Sequence, residues 1–122
     1  MLTTYQTLLN LALHEFPTVV TRAEFIGGTP ASPNKLRLLI VDGSFLDIWL
    51  SLDGDYAYHW EHRRQTGHIY RWDNAPHHPT VGTFPAHLHD GDERTIVESH
   101  LPLAPEVALR EILAFVRQHV MI

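Results

Sequence analysis

Apolar residues recur at three- and four-residue spacing near both ends of the chain and at two-residue spacing through most of the stretch between. Tyr5, Leu8, Leu9, Ala12, Leu13 and Phe16 fall on one stripe, which predicts an amphipathic N-terminal helix capped by Thr3 or Thr4 and ended before Pro17. Leu109, Ile112, Leu113, Val116 and Val120 form a second stripe. It begins near Pro105, a residue suited to a first helical turn, with Glu106 at the positive end of the dipole. His14, Glu15 and His119 flank these stripes and read as surface groups.

The middle of the chain alternates as strands do. Thr18 to Ile26 predicts a strand stopped by Gly27-Gly28, and Thr29-Pro30-Ala31-Ser32-Pro33-Asn34 has loop chemistry. Turn signals at Asp42-Gly43, Asp53-Gly54 and Gln65-Thr66-Gly67 then predict an antiparallel meander. A two-residue turn at Asp42-Gly43 sets Leu36 against Trp49 and Leu38 against Asp47. A three-residue turn with Gly43 left-handed aligns Leu36, Leu38 and Ile40 with Leu50, Ile48 and Leu46, and is preferred because it builds one apolar face. Continued onward, that face takes in Tyr56, Tyr58, Trp60 and His62, then His68, Tyr70 and Trp72. Asp47, Trp49, Ser51, His59, Glu61, Arg63, Arg71 and Asp73 fall on the other. After a turn at Asp90-Gly91-Asp92, Arg94 to Ser99 reads as the last strand. The expected fold is α+β, a single domain over residues 1–122, with a mostly antiparallel meander of about five to seven strands between an N-terminal and a C-terminal helix.

Composition narrows the class. An apolar fraction of 44% with 19% charged residues supports a packed core and argues against disorder. The absence of cysteine excludes disulfides and thiolate-held metals. No run is apolar enough to span a membrane and the N-terminus lacks a signal pattern, so a cytoplasmic location is expected. A formal charge of −5 with Lys35 as the one lysine argues against a protein that coats nucleic acid. The stretch from His59 to His78 is nonetheless locally cationic, because Arg63, Arg64 and Arg71 outnumber Glu61 and Asp73, and this suits a small anion or RNA site.

Candidate chemistry concentrates between Tyr58 and Gly91, which hold seven of the ten histidines. A solvated sheet face laced with cross-strand ion pairs is the plainest account of its charged residues. Metal-free phosphodiester chemistry on RNA is the sharper one. It needs an acid and a base near neutrality and cations for the phosphate, and the candidate catalytic set is His59, Glu61, Arg63, Arg71, Asp73, His77 and His78. In it Arg63 and Arg71 clamp phosphate, His59 or His77 acts as base or acid, Glu61 is a base if desolvated, and Asp73 orients a His or Arg. Tyr58, Tyr70, Trp72 and Phe84 are aromatic enough to stack a base, although Trp60 and Trp72 read first as core. No cofactor is required by this reading. The alternative is a divalent metal, zinc or manganese, held by His77, His78, His87 and His89, with no HExxH-type signature to support it. A non-enzymatic binding module uses the same charged face. The stiff segment from Asn74 to Pro85, with Pro76, Pro79 and Pro85, is suited to position such residues. Trp49 and Phe45 on the polar face point to cover by a helix or a second copy of the chain, a homodimer.

Three motifs, Tyr58-His59-Trp60, the run from Tyr70-Arg71-Trp72-Asp73-Asn74-Ala75-Pro76 to His77-His78-Pro79, and Thr83-Phe84-Pro85 with His87 and His89, resemble the TumE-like proteins, a family of candidate toxins of prokaryotic toxin–antitoxin pairs. The likeness covers most of the chain. It departs at Ala86 and Leu88, where the family's pattern carries His and Lys. The resemblance implies a small cytosolic toxin whose partner is a DNA-binding antitoxin of winged-helix or other helix-turn-helix type. A ribonuclease or translation-inhibiting activity follows by analogy with other toxins of this size.

Overall fold

The computed structural model describes residues 1–120, in the order α1 (Leu2–Glu15), β1 (Val20–Thr29), β2 (Ser32–Ile40), β3 (Phe45–Leu50), β4 (Tyr56–His62), α2 (Arg63–Thr66), β5 (His68–Asp73), β6 (His87–Gly91), β7 (Ile96–Glu98) and α3 (Pro105–His119). The seven strands form one antiparallel meander in sequence order. This is the α+β arrangement that the alternation implied, with each strand antiparallel to the next in sequence.

Period-two alternation sorts the sheet into two faces. Leu36, Leu38, Ile40, Leu46, Ile48, Tyr58, Trp60 and Trp72 pack with Tyr5, Leu8, Leu11 and Ala12 of α1 and with Ala108, Leu109, Ile112, Leu113 and Val116 of α3 in one core. Both helices therefore cover the same face, and no helix lies on the other. Tyr5 ties the layers together. Its hydroxyl donates to the Asn34 carbonyl and accepts the Leu50 amide, each at 3.0 Å, so one side chain of α1 spans two strands.

Four sequence expectations are corrected. The helix α1 begins at Leu2, with Met1 as its cap position and no side-chain cap, so neither Thr3 nor Thr4 serves. Gly27-Gly28 does not end β1. Both adopt positive φ, 68° and 66°, and the ladder runs through them to Thr29↔Ser32 across a turn at Pro30-Ala31. A side chain at Gly28 would collide with the Ser32 carbonyl, which is why a residue without Cβ can keep the strands paired there. The three-residue turn at Val41-Asp42-Gly43 forms with Gly43 at φ 87°. It sits one residue earlier than expected: Leu36 pairs with Ile48 and Leu38 with Leu46, two residues from the anticipated register. A shift of two preserves the faces, so the apolar assignment survives it. Finally, Arg63 to Thr66 makes a helical turn in place of a simple hairpin loop, closed by Gly67 at φ 84°.

A buried polar network holds that end of the sheet. His62 donates from Nε2 to Asp42 at 2.8 Å with both side chains almost wholly buried, Ser44 donates its N–H and hydroxyl to the same carboxylate, and Trp60 donates its indole N–H to Ser44 at 2.8 Å. Trp60 and His62 stack at 4.1 Å. Every buried polar atom named here has a partner, which makes the network a structural anchor.

Candidate functional site

The face without helices carries a cross-strand row, Glu24–Arg37–Asp47–His59–Arg71–His89, one residue from each of β1 to β6. Each is directly opposite the next, so Glu24, Arg37 and Asp47 alternate in sign and the imidazoles of His59 and His89 flank Arg71. Asn34, Lys35, Asp47, Trp49, Ala57, His59 and Arg71 border an open cleft of about 350 Å³ on this face.

Asp47 organises the β2 side of the cleft. Lys35 Nζ donates to it at 2.7 Å, and Arg37 donates from Nε at 2.7 Å and from Nη2 at 2.9 Å. Burial opposes ionisation of Asp47, but the hydrogen bonds from Arg37 and Lys35 outweigh it and hold its carboxyl below the ordinary range. The Arg37 guanidinium also lies over the Phe45 ring at 4.1 Å, which keeps that phenyl half-buried without any helix above it.

His59 sits at the centre. Its Nε2 lies 3.3 Å from Glu61 Oε1, an atom that only accepts, so Nε2 carries the proton and Nδ1 the lone pair. Nδ1 is buried and has no hydrogen-bond partner among the described residues. Burial pushes the imidazole pKa down; Glu61 opposes this, and the Arg71 and Arg63 charges reinforce it. The ring is therefore neutral at pH 7 with an uncommitted basic nitrogen, whereas Glu61 is spoken for. Arg63 donates to it from Nη2 at 2.7 Å, from Nε at 2.9 Å and from its amide at 3.2 Å. Those bonds, countered by partial burial and helped by His59, bring the Glu61 pKa down to about 2. The desolvation that a Glu61 base requires is outweighed by these bonds, and Arg63, half-exposed, is engaged by Glu61.

Arg71 Nε donates to Asp73 Oδ2 at 3.0 Å while the side chain lines the cleft. Asp73 also accepts the Ala75 amide at 2.9 Å and faces two imidazoles, with Oδ1 3.1 Å from His87 Nε2 and Oδ2 3.4 Å from His89 Nε2. His78, reached by the proline-rich segment after β5, closes on the same pair, its ring 4.7 Å from that of His87 and 5.6 Å from that of His89. His77, one residue earlier, is exposed and stands outside this group. Of the residues singled out by sequence, the structure thus brings His59, Arg71 and Asp73 together, adds His78, His87 and His89 beside them, places Glu61 and Arg63 in a closed pair at the rim, and leaves His77 apart.

Sequence reasoning missed Asn34 and Lys35, because taking residues 29–34 as a loop hid the alternation that puts Lys35 on the face of Arg37. Recognising Pro30-Ala31 as a hairpin turn would have found them. Of the expected stacking aromatics Phe84 is exposed, and the other three are packed away. Tyr58 and Trp72 are buried beneath the helices and Tyr70 packs on Trp60 and Phe115. Trp49, 38% exposed and on the cleft, is the aromatic surface this face offers. Of Ala86 and Leu88, where the chain departs from the pattern it resembles, Leu88 packs on the core side.

No helix among the described residues is long and apolar enough to cross a membrane. No curated protein and no solved structure gives a significant match to the chain. The family model described as Toxin TumE matches residues 9–120, from within α1 to the end of α3. Spanning as it does the whole sheet, both faces and the cleft, that match shows that the chain belongs to the TumE toxin family.

Proposed function

We propose that this toxin acts in the cytoplasm on RNA, cleaving a phosphodiester without a metal in the reaction. The observation that carries the reading is His59: a neutral imidazole lining a cleft bordered by Lys35 and Arg71, its proton given to Glu61 and its Nδ1 lone pair unpartnered but buried, so that the ring turns to present it to a substrate. Such a nitrogen is a general base suited to the proton of a ribose 2′-hydroxyl. The 2′-oxygen attacks phosphorus, the bond to the 5′-oxygen breaks, and that oxygen takes a proton from water, leaving a 2′,3′-cyclic phosphate and a 5′-hydroxyl. Arg71 and Lys35 supply positive charge to the phosphate, and Trp49 offers a stacking face for one base. The net charge of −5 fits recognition of one or two nucleotides better than a long tract. With two cations engaged, the salt dependence of binding should have a log–log slope of about −1.4.

A toxin family implies an antitoxin, and we assign to a helix-turn-helix antitoxin the uncovered sheet face, where Trp49 is the exposed apolar anchor. The two assignments meet at one surface, so antitoxin binding blocks the cleft.

Regulated expression in a bacterial host, followed by incubation of purified protein with total RNA, tests the reading. The wild type should arrest growth and cut RNA in the presence of chelator. His59→Ala and Arg71→Ala should each lose both effects while melting within a few degrees of the wild type. Growth arrest without cleavage would identify a binding toxin, and full activity in both variants would remove the cleft from the mechanism.

A further inference from the structure

Asp73 at the end of β5 and His87 at the start of β6 are register partners, so they share a face, and His89 two residues on shares it too. The segment 74–86 then returns His78 to the same point. Among the described residues His78, His87 and His89 bring one ring nitrogen each within 4.8 Å of one another. His87 and Asp73 are 2% and 4% exposed.

The protonation of this group can be read from its outer partners. His87 Nδ1 lies 2.9 Å from the Pro85 carbonyl, and His89 Nδ1 lies 3.0 Å from the Glu93 carbonyl. Carbonyl oxygens only accept, so both Nδ1 atoms carry protons, and in the neutral rings both Nε2 atoms carry lone pairs. Those lone pairs face each other at 3.1 Å and face the Asp73 oxygens at 3.1 and 3.4 Å. Four electron-rich atoms thus converge with no donor between them, an arrangement that is repulsive unless a cation occupies the centre.

We propose that His78, His87 and His89, with Asp73 beside them, bind one divalent metal ion of the zinc class. Bonds of ~2.0–2.1 Å in tetrahedral geometry put ligand atoms ~3.3 Å apart, and the Nε2 atoms of His87 and His89 stand 3.1 Å apart, close to that span. The outer partners are those a metal site uses. Each inward Nε2 is fixed by an Nδ1 proton held on a backbone carbonyl, and the carboxylate is oriented by the Ala75 amide and the Arg71 guanidinium. Three imidazoles suit zinc over manganese, which prefers oxygen. The ion bolts the proline-rich segment, through His78, onto β6 beside Asp73. This site is distinct from the base at His59 and does not rest on the RNA reading.

The test is competition of the full chain, stripped with chelator, against a chromophoric chelator for zinc at pH 7.5. One ion per chain should bind with a dissociation constant below ~1 μM and raise the melting temperature. His78→Ala lies on the connecting segment and should fold, yet weaken binding by ~100-fold or more. His77→Ala, its exposed neighbour, should bind as the wild type does. His87→Ala and His89→Ala, checked for folding by circular dichroism, should lose binding. Absence of stoichiometric zinc uptake by the folded wild type overturns the proposal, as does equal loss of affinity in His77→Ala and His78→Ala.

Discussion

Replacing Asp47 by Asn separates the scaffold of the cleft from its charge, because the two respond in opposite directions. Asp47 is 8% exposed and receives three charge-assisted bonds from Lys35 and Arg37. The amide is nearly isosteric and keeps one oxygen acceptor, but it loses the charge and leaves two partly buried cations without a counterion. Breaking a fully buried pair costs ~3–5 kcal/mol and an exposed one under ~1 kcal/mol. With Lys35 and Arg37 side chains 28% and 27% exposed, about 2–3 kcal/mol is expected here. Unfolding entropy of ~2.1 cal/mol/K per residue over 122 residues converts this to a fall of about 8–12 °C in the melting temperature. The pH dependence has a fixed sign. The folded carboxyl has a lowered pKa, so its contribution is complete above the unfolded carboxyl range and is lost as pH falls through the folded value. The gap between wild type and variant should therefore be full at pH 7 and close in strong acid. Meanwhile Lys35, Arg37, Arg63 and Arg71 against Asp47, Glu61 and Asp73 leave a surplus of one positive charge, which the substitution raises to two. Removing a negative charge ~4–8 Å from a phosphate is worth ~0.5–1 kcal/mol at a water-like dielectric, a two- to fivefold gain in affinity for a short RNA at low salt. Urea unfolding followed by tryptophan fluorescence and a binding titration measure the two effects. A variant within 0.5 kcal/mol of the wild type (about the scatter of surface substitutions) refutes the pairing argument, and weaker RNA binding refutes the cleft as the phosphate site.

Because the His59 pKa is lowered in the folded state, first by burial, folding stability should decline as pH drops from the unfolded imidazole value of ~6.5 toward the folded one, and RNA cleavage should stay level from pH 8 down to 6.5. His59→Gln should flatten the stability profile in that window; an unchanged profile by denaturation across pH would count against the assignment. Asp42→Ala removes the buried acceptor of His62 and Ser44 and should cost about 3–5 kcal/mol, read as a drop in urea midpoint. Tyr5→Phe leaves the Leu50 amide without its acceptor at the junction of α1 with the sheet and should cost about 1–3 kcal/mol, with faster hydrogen exchange at that amide. Trp49→Ala should leave the melting temperature nearly unchanged and weaken short-RNA binding by about 1–3 kcal/mol.

Period-two alternation is a property of the local chain, and it was enough to assign Leu46, Ile48, Tyr58, Trp60, Tyr70 and Trp72 to the helix-covered face and Asp47, His59, Arg71 and Asp73 to the other. It tolerated a register wrong by two, since a strand that slides by two residues presents the same side chains to the same layer. The ends of the meander were legible for a similar reason: a stripe at helical spacing needs a partner surface, and the sheet is the one at hand. The misread segment with most effect on the site was the Gly27 to Asn34 stretch, where loop-like composition concealed a hairpin and, with it, Lys35.

What the sequence could not decide is which polar groups meet. Whether Glu61 is a base or a locked counterion depends on a contact with Arg63 two residues away whose side-chain direction no spacing rule reveals. Whether adjacent histidines act together depends on the path of the proline-rich segment, which turns His78 inward and leaves His77 in solvent. The convergence of Asp73 with His87 and His89 follows from cross-strand register and from carbonyls at Pro85 and Glu93 that set both tautomers. Side-chain period is written in neighbouring residues, whereas distances between groups a dozen or more positions apart come into being only when the sheet has closed its ladders.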